Sequence, residues 1–211
     1  MASLPTPTIP PVDQFQALAR RFPASMAAWS ARARDRFRSY LRTYPTLLAH
    51  FGKHPLTPHE LQLGALATYA WMATTLIVRE DITSDTVDAF ERAREAVEPS
   101  GEDLAVLVRT FNNSLVGVSK MLHFAAPKRY PAWDSNVARA VYESGDYHVV
   151  SSVSKYRAYV TALRGRVAED ELAFAAIVQQ LGRSLEDTGL SQATWSKLRA
   201  GELLLFVSRD G

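Results

Sequence analysis

Apolar side chains recur at three- and four-residue spacing along almost the whole chain, and that helical period leaves little room for other secondary structure. Strand-like alternation is scarce; Tyr147–Val150 is the best candidate and is very short. The spacing predicts a helix over Asp13–Phe22 that Pro23 interrupts, an Arg-rich amphipathic helix over Ala27–Leu41, and a further turn at Pro45–Phe51. Thr57-Pro58-His59-Glu60 reads as a capping sequence, with proline at the first helical position and an acid in the first turn. It opens a largely apolar, central helix to about Val78. Helices are then expected from Thr83/Ser84 through Ala96, from Glu102 to Thr110, and over Leu115–Ala126, Asn136–Glu143, Ser151–Arg164, Val167–Gly182 and Ser191–Val207. The fold class is all-α, a bundle of about ten helices with short connections. Residues 1–11 read as an extended proline-rich lead-in, and 12–211 as a single helical domain.

Composition narrows the chemistry. The 211 residues contain no cysteine, which excludes disulfides, thiolate nucleophiles, cysteine zinc sites and iron–sulfur clusters. The longest apolar runs, near Ala65–Val78 and Leu203–Val207, are too short or too interrupted to span a membrane. The first residues lack the charged and apolar regions of a secretory signal. A soluble cytoplasmic protein is expected, nucleoid-associated if bacterial. Charge is uneven: Arg20, Arg21, Arg32, Arg34, Arg36, Arg38 and Arg42 face a single acid, Asp35, while acids gather in Glu80–Glu102. Such asymmetry suits either a solvated helix face or a face that meets polyphosphate.

One stretch carries chemistry: TFNNSLVGVSKMLHFAAPKRYPAWDSNVARAVY, from Thr110 to Tyr142. It divides into a polar turn, an apolar helix, a break at Pro127-Lys128-Arg129-Tyr130-Pro131, and Ala132-Trp133-Asp134 opening another helix. Asp134 stands where an N-cap belongs. Tyr130-Pro131-Ala132-Trp133-Asp134-Ser135-Asn136-Val137-Ala138-Arg139 resembles the aspartate-bearing loop of the helix-hairpin-helix DNA glycosylase superfamily, the group of 8-oxoguanine and adenine glycosylases. That loop follows the pattern Phe-Pro-x-x-Asp-x-Asn-Val-x-Arg. Counted back without gaps, the family's hairpin falls on Asn112-Asn113-Ser114, whereas Gly117-Val118-Ser119 lies too late. Asparagine tolerates the positive φ that the family's glycines supply.

The resemblance implies a two-lobed helical domain with a base pocket between the lobes. It implies a DNA glycosylase that flips a damaged or modified base out of double-stranded DNA and cleaves its N-glycosidic bond. A fixed carboxylate, Asp134, would stabilise the cationic sugar or activate water. The hairpin and the start of the next helix, Asn112, Asn113, Ser114 and Val116, would meet the DNA backbone, with Lys128, Arg129 and Asn136 nearby. Val116 stands where bifunctional members carry their lysine, so a monofunctional enzyme is favoured over an abasic-site lyase. Lys120 lies one helical turn further on the same face and is the second catalytic candidate, as charge partner, donor to the base or displaced amine.

His123 and Trp133 are weaker base-pocket candidates, each also explained as core; Tyr69, Trp71 and Trp195 are aromatics of the same ambiguous kind. His50, His54 and His59 do not share a helix face, so no metal site is expected, and no cofactor either. A monomer is expected. Two other readings fit less of the chain: a non-catalytic DNA-binding protein with a helix-turn-helix-like segment at Leu190–Leu198, and a helical partner-binding protein. The resemblance admits several excised bases, in repair or in defence against modified foreign DNA.

Overall fold

The computed structural model describes residues 6–186 and 195–208. Among them are eleven helices and no strand. They are α1 (Val12–Ala28), α2 (Ala31–Phe51), α3 (Pro58–Trp71), α4 (Ser84–Glu95), α5 (Gly101–Thr110), α6 (Leu115–Ala125), α7 (Ser135–Tyr142), α8 (Tyr147–Val150), α9 (Val153–Glu169), α10 (Glu171–Ser184) and α11 (Lys197–Val207). None is long and apolar enough to cross a membrane. The stretch 190–194, which held most of the helix-turn-helix-like segment and the start of the expected last helix, lies outside the described residues.

Two expected breaks do not occur. α1 runs through Pro23 and α2 through Pro45. A proline inside a helix costs about 3 kcal/mol. The buried stripes Phe15, Ala19, Phe22, Met26 on α1 and Phe37, Leu41, Tyr44, Leu47, Phe51 on α2 offset it, at roughly 1.5–3 kcal/mol for each large side chain. Packing therefore outweighs local propensity at both prolines.

The expected capping box does form. Thr57 Oγ1 accepts from the Glu60 N–H at 3.2 Å, and the Glu60 carboxylate accepts from the Thr57 N–H at 2.9 Å. The helix it opens ends at Trp71 rather than near Val78, and Ala73 adopts φ 54°. The β-branched residues Thr74, Thr75, Ile77 and Val78 instead leave the helix, and Val78 bridges Phe111 at the end of α5. Arg79 N–H donates to Thr110 O at 3.0 Å, and Asn112 N–H to Ile77 O at 3.1 Å. Tyr147–Val150 forms a single helical turn, with no strand among the described residues to pair with.

Helices α2 to α6 pack on one another; α1 packs on α10 and α11, and α11 in turn contacts α7, α9 and α10. A single buried core of aromatic and aliphatic side chains runs through both groups. Residues 6–11 are non-helical and lie against α7, where Thr8 N–H donates to Val141 O at 2.8 Å.

Candidate functional site

The turn between α5 and α6 is built from the two asparagines. Asn112 has φ 59° and Asn113 φ 51°, the left-handed region that asparagine enters at low cost. Asn112 is further held by its side-chain amide, which donates to Thr75 O at 2.9 Å. Ser114 then caps α6, its hydroxyl accepting from Gly117 N–H at 3.1 Å. Gly117 lies inside α6, not in the turn. A Cβ there would fall 2.1 Å from the Tyr69 hydroxyl oxygen, so glycine is what lets α3 and α6 approach. Val116 is half-buried on the first turn of α6.

α6 carries Lys120, and the loop that returns from its end carries Asp134. Ser119 joins the two, accepting from Trp133 N–H at 3.1 Å. Asp134 caps α7: its Oδ1 accepts from the N–H groups of Asn136 at 3.0 Å and Val137 at 3.1 Å. Those bonds fix the carboxylate and leave Oδ2 turned toward Lys120 Nζ, 3.5 Å away. Lys120 Nζ also stands 5.8 Å from the centre of the Trp71 ring.

Both side chains line a cavity of about 170 Å³. Its walls come from α2 (Phe37, Tyr40, Leu41), the end of α3 (Trp71, Met72), and α11 (Arg199, Glu202, Leu203, Phe206). A neighbouring hollow of about 360 Å³ shares Phe37, Tyr40 and Phe206 with it and is lined by Arg32, Arg36 and Asn136. Part of the arginine-rich face of α2 thus stands at the approach to the cavity. A roomier hollow of about 840 Å³, lined by Lys128, Arg164 and Trp195 among others, includes neither Asp134 nor Lys120.

Arg199 and Glu202 are the residues the sequence did not single out. They form a buried ion pair one turn apart, Nη1 to Oε2, with the Arg199 guanidinium 5.3 Å from the Tyr44 ring centre. Burial pushes the Glu202 carboxyl above the usual carboxylate range, while Arg199 pulls it the other way. The charges of Asp134 and Lys120 also act on Glu202, so two cations and two anions share one small space. Their only advance signal was an Arg and a Glu placed just before the apolar run Leu203–Val207 of the final helix.

Several predicted site residues are placed elsewhere. His123 is enclosed in the core and does not line the cavity. Its Nδ1 lies 2.7 Å from Tyr130 O, which can only accept, so Nδ1 carries the proton and Nε2 accepts from the Tyr44 hydroxyl at 2.8 Å. Trp133 is likewise buried, its ring centre 5.2 Å from that of Tyr159 and its Nε1–H donating to Val150 O at 2.8 Å. Arg129 donates to the carbonyls of Arg94 and Glu95, closing the C-terminus of α4. Of the four candidate stacking aromatics, Trp71 is the one in the cavity wall. Among the described residues no cluster of three or more His, Asp or Glu is placed to hold a metal ion.

The His123 environment has a pH signature. Burial, with Arg199 next, pushes its pKa from 6.5 down to about 3. Between those values the unfolded chain takes up a proton that the folded chain refuses, so stability falls as the pH is lowered. The slope from this group is up to about 1.4 kcal/mol per pH unit. Urea midpoints measured from pH 7 to 4 are expected to drop less steeply in His123→Gln than in the wild type. Parallel curves would contradict the assignment.

None of the protein-family models, curated proteins or solved structures compared with the chain gives a significant match.

Proposed function

We propose that the protein is a monofunctional DNA N-glycosylase of the helix-hairpin-helix type. The observation that carries this reading is the Asp134 carboxylate, fixed through Oδ1 by the first N–H groups of α7 and presenting Oδ2 to a cavity beside Lys120. The resemblance of residues 130–139 to the family's aspartate loop, and of the Asn112–Asn113 turn to its hairpin, points the same way.

Cleaving an N-glycosidic bond builds positive charge at C1′ of the sugar. A carboxylate held in place before the reaction stabilises that charge without reorganising. The base must first leave the helix stack. The exposed guanidinium groups of Arg32 and Arg36, and the N–H groups that open α6, suit phosphates on either side of an extruded nucleotide. The base would enter against Trp71 and Tyr40, with the sugar toward Asp134. Water attacks C1′, its hydroxyl staying on the sugar and its proton going to the departing base. Lys120 serves as counter-ion to Asp134 and orients it; it forms no bond to the sugar.

The test is base release from duplexes each carrying one damaged or mispaired base. The expected product is free base and an abasic site whose strand breaks only after alkali. Absence of release across the panel would remove the reading. Trapping of a protein–DNA adduct with borohydride would instead make Lys120 a nucleophile.

A further inference from the structure

Arg199 and Glu202 stand in the wall of the same cavity with no part in the reaction just described. They are 6% and 3% exposed. Taking two ions out of water costs several kcal/mol for each, and apolar side chains of similar size would fill such a site at no greater cost. The rest of α11 from Leu203 to Val207 is apolar. A guanidinium has five N–H donors. Among the described residues the protein accepts from Nη1 alone, and Glu202 Oε1 has no protein donor. The pair therefore offers the cavity a donor beside an acceptor, held in fixed register. Tyr40 and Trp71, with ring centres 5.0 Å apart, supply aromatic surface in the same wall. The space of about 170 Å³ is close to the roughly 150 Å³ known to take one benzene ring, which fits a six-membered heterocycle.

We propose that Arg199 and Glu202 read the base, and that the base is a single-ring lactam of the uracil type, its ring carbonyl accepting from Arg199 and its adjacent ring N–H donating to Glu202. This rests on the glycosylase reading. Cytosine carries an amino group and an unprotonated ring nitrogen along the same edge, so donor and acceptor are exchanged and the buried pair is left unmatched. Thymine shares the lactam edge, but a thymine paired with adenine stays in the stack, since extrusion costs least for a mispaired or damaged base.

Two measurements on the whole protein test this. The first is base release from duplexes with a single uracil or 5-hydroxyuracil opposite guanine, or a single 8-oxoguanine or hypoxanthine opposite cytosine. The second is binding of free uracil and free cytosine, followed by saturation-transfer NMR and independent of any reaction. Release of the two pyrimidines over the two purines is expected, with free uracil bound about tenfold or more tighter than cytosine. Glu202→Gln and Arg199→Lys, checked by melting temperature, are expected to shrink that ratio about tenfold. Preferential release of purines, or a uracil-to-cytosine ratio unchanged in both variants, overturns the inference and leaves the glycosylase reading standing. No release from any duplex overturns the glycosylase reading, while selective uracil binding that the two variants abolish would still support the pair as the reader.

Discussion

Asp134→Asn is expected to slow base release by about 10²–10⁴-fold, the range in which a positioned charge or proton-transfer group contributes to catalysis. Asparagine caps helices as well as aspartate does. The bonds to Asn136 and Val137 N–H therefore survive, α7 keeps its start, and the melting temperature should move little. What disappears is the negative charge on the oxygen facing Lys120. A rate loss without a stability loss separates this role from simple capping. Single-turnover base release and thermal melting on the same preparation decide it. A variant that is folded and as active as the wild type removes Asp134 from the mechanism.

Glu202→Leu is expected to be the most destabilising single change at the site, by about 3–5 kcal/mol, because it leaves the Arg199 guanidinium buried without its anion. At this chain length that corresponds to a fall of roughly 6–20 °C in melting temperature. The double variant Arg199→Met/Glu202→Leu should regain most of the loss, since an apolar pair of similar bulk needs no compensation. If the single variant melts within a degree or two of the wild type, Arg199 has another counter-ion or reaches water, and the buried pair is not as described.

How much of this was legible beforehand differs from residue to residue. Thr57-Pro58-His59-Glu60 and Asp134 could be read directly because capping is a local event, settled within four residues by side-chain oxygen and backbone N–H. The Asn112–Asn113 turn was legible for the same reason: positive φ is a property of single residues. Pro23 and Pro45 misled because the stripes that carry the helices through them gain their stability from distant elements. Thr74 to Val78 read as helix from apolar spacing, but their pairing partner is the end of α5, more than thirty residues away. The cavity was least legible. Lys120 and Asp134 could be connected through the helical face and the loop, yet Phe37, Tyr40, Trp71, Arg199 and Glu202 come together only through packing of α2, α3 and α11. His123 and Trp133 show the converse, being close to Asp134 in sequence and turned into the core.

The central claim is that the Asp134 carboxylate stands opposite positive charge at the anomeric centre of an extruded nucleotide. Duplexes carrying either a cationic pyrrolidine or an uncharged tetrahydrofuran in place of one sugar differ only within that five-membered ring, and the first mimics the charge of the transition state. The ratio of the two dissociation constants for wild type and Asp134→Asn, at one salt concentration, is the most direct measurement. The wild type is predicted to favour the pyrrolidine duplex by about 10²-fold or more, and Asp134→Asn to bind the two nearly alike. Equal binding by the wild type, or a preference that survives in Asp134→Asn, would contradict the account.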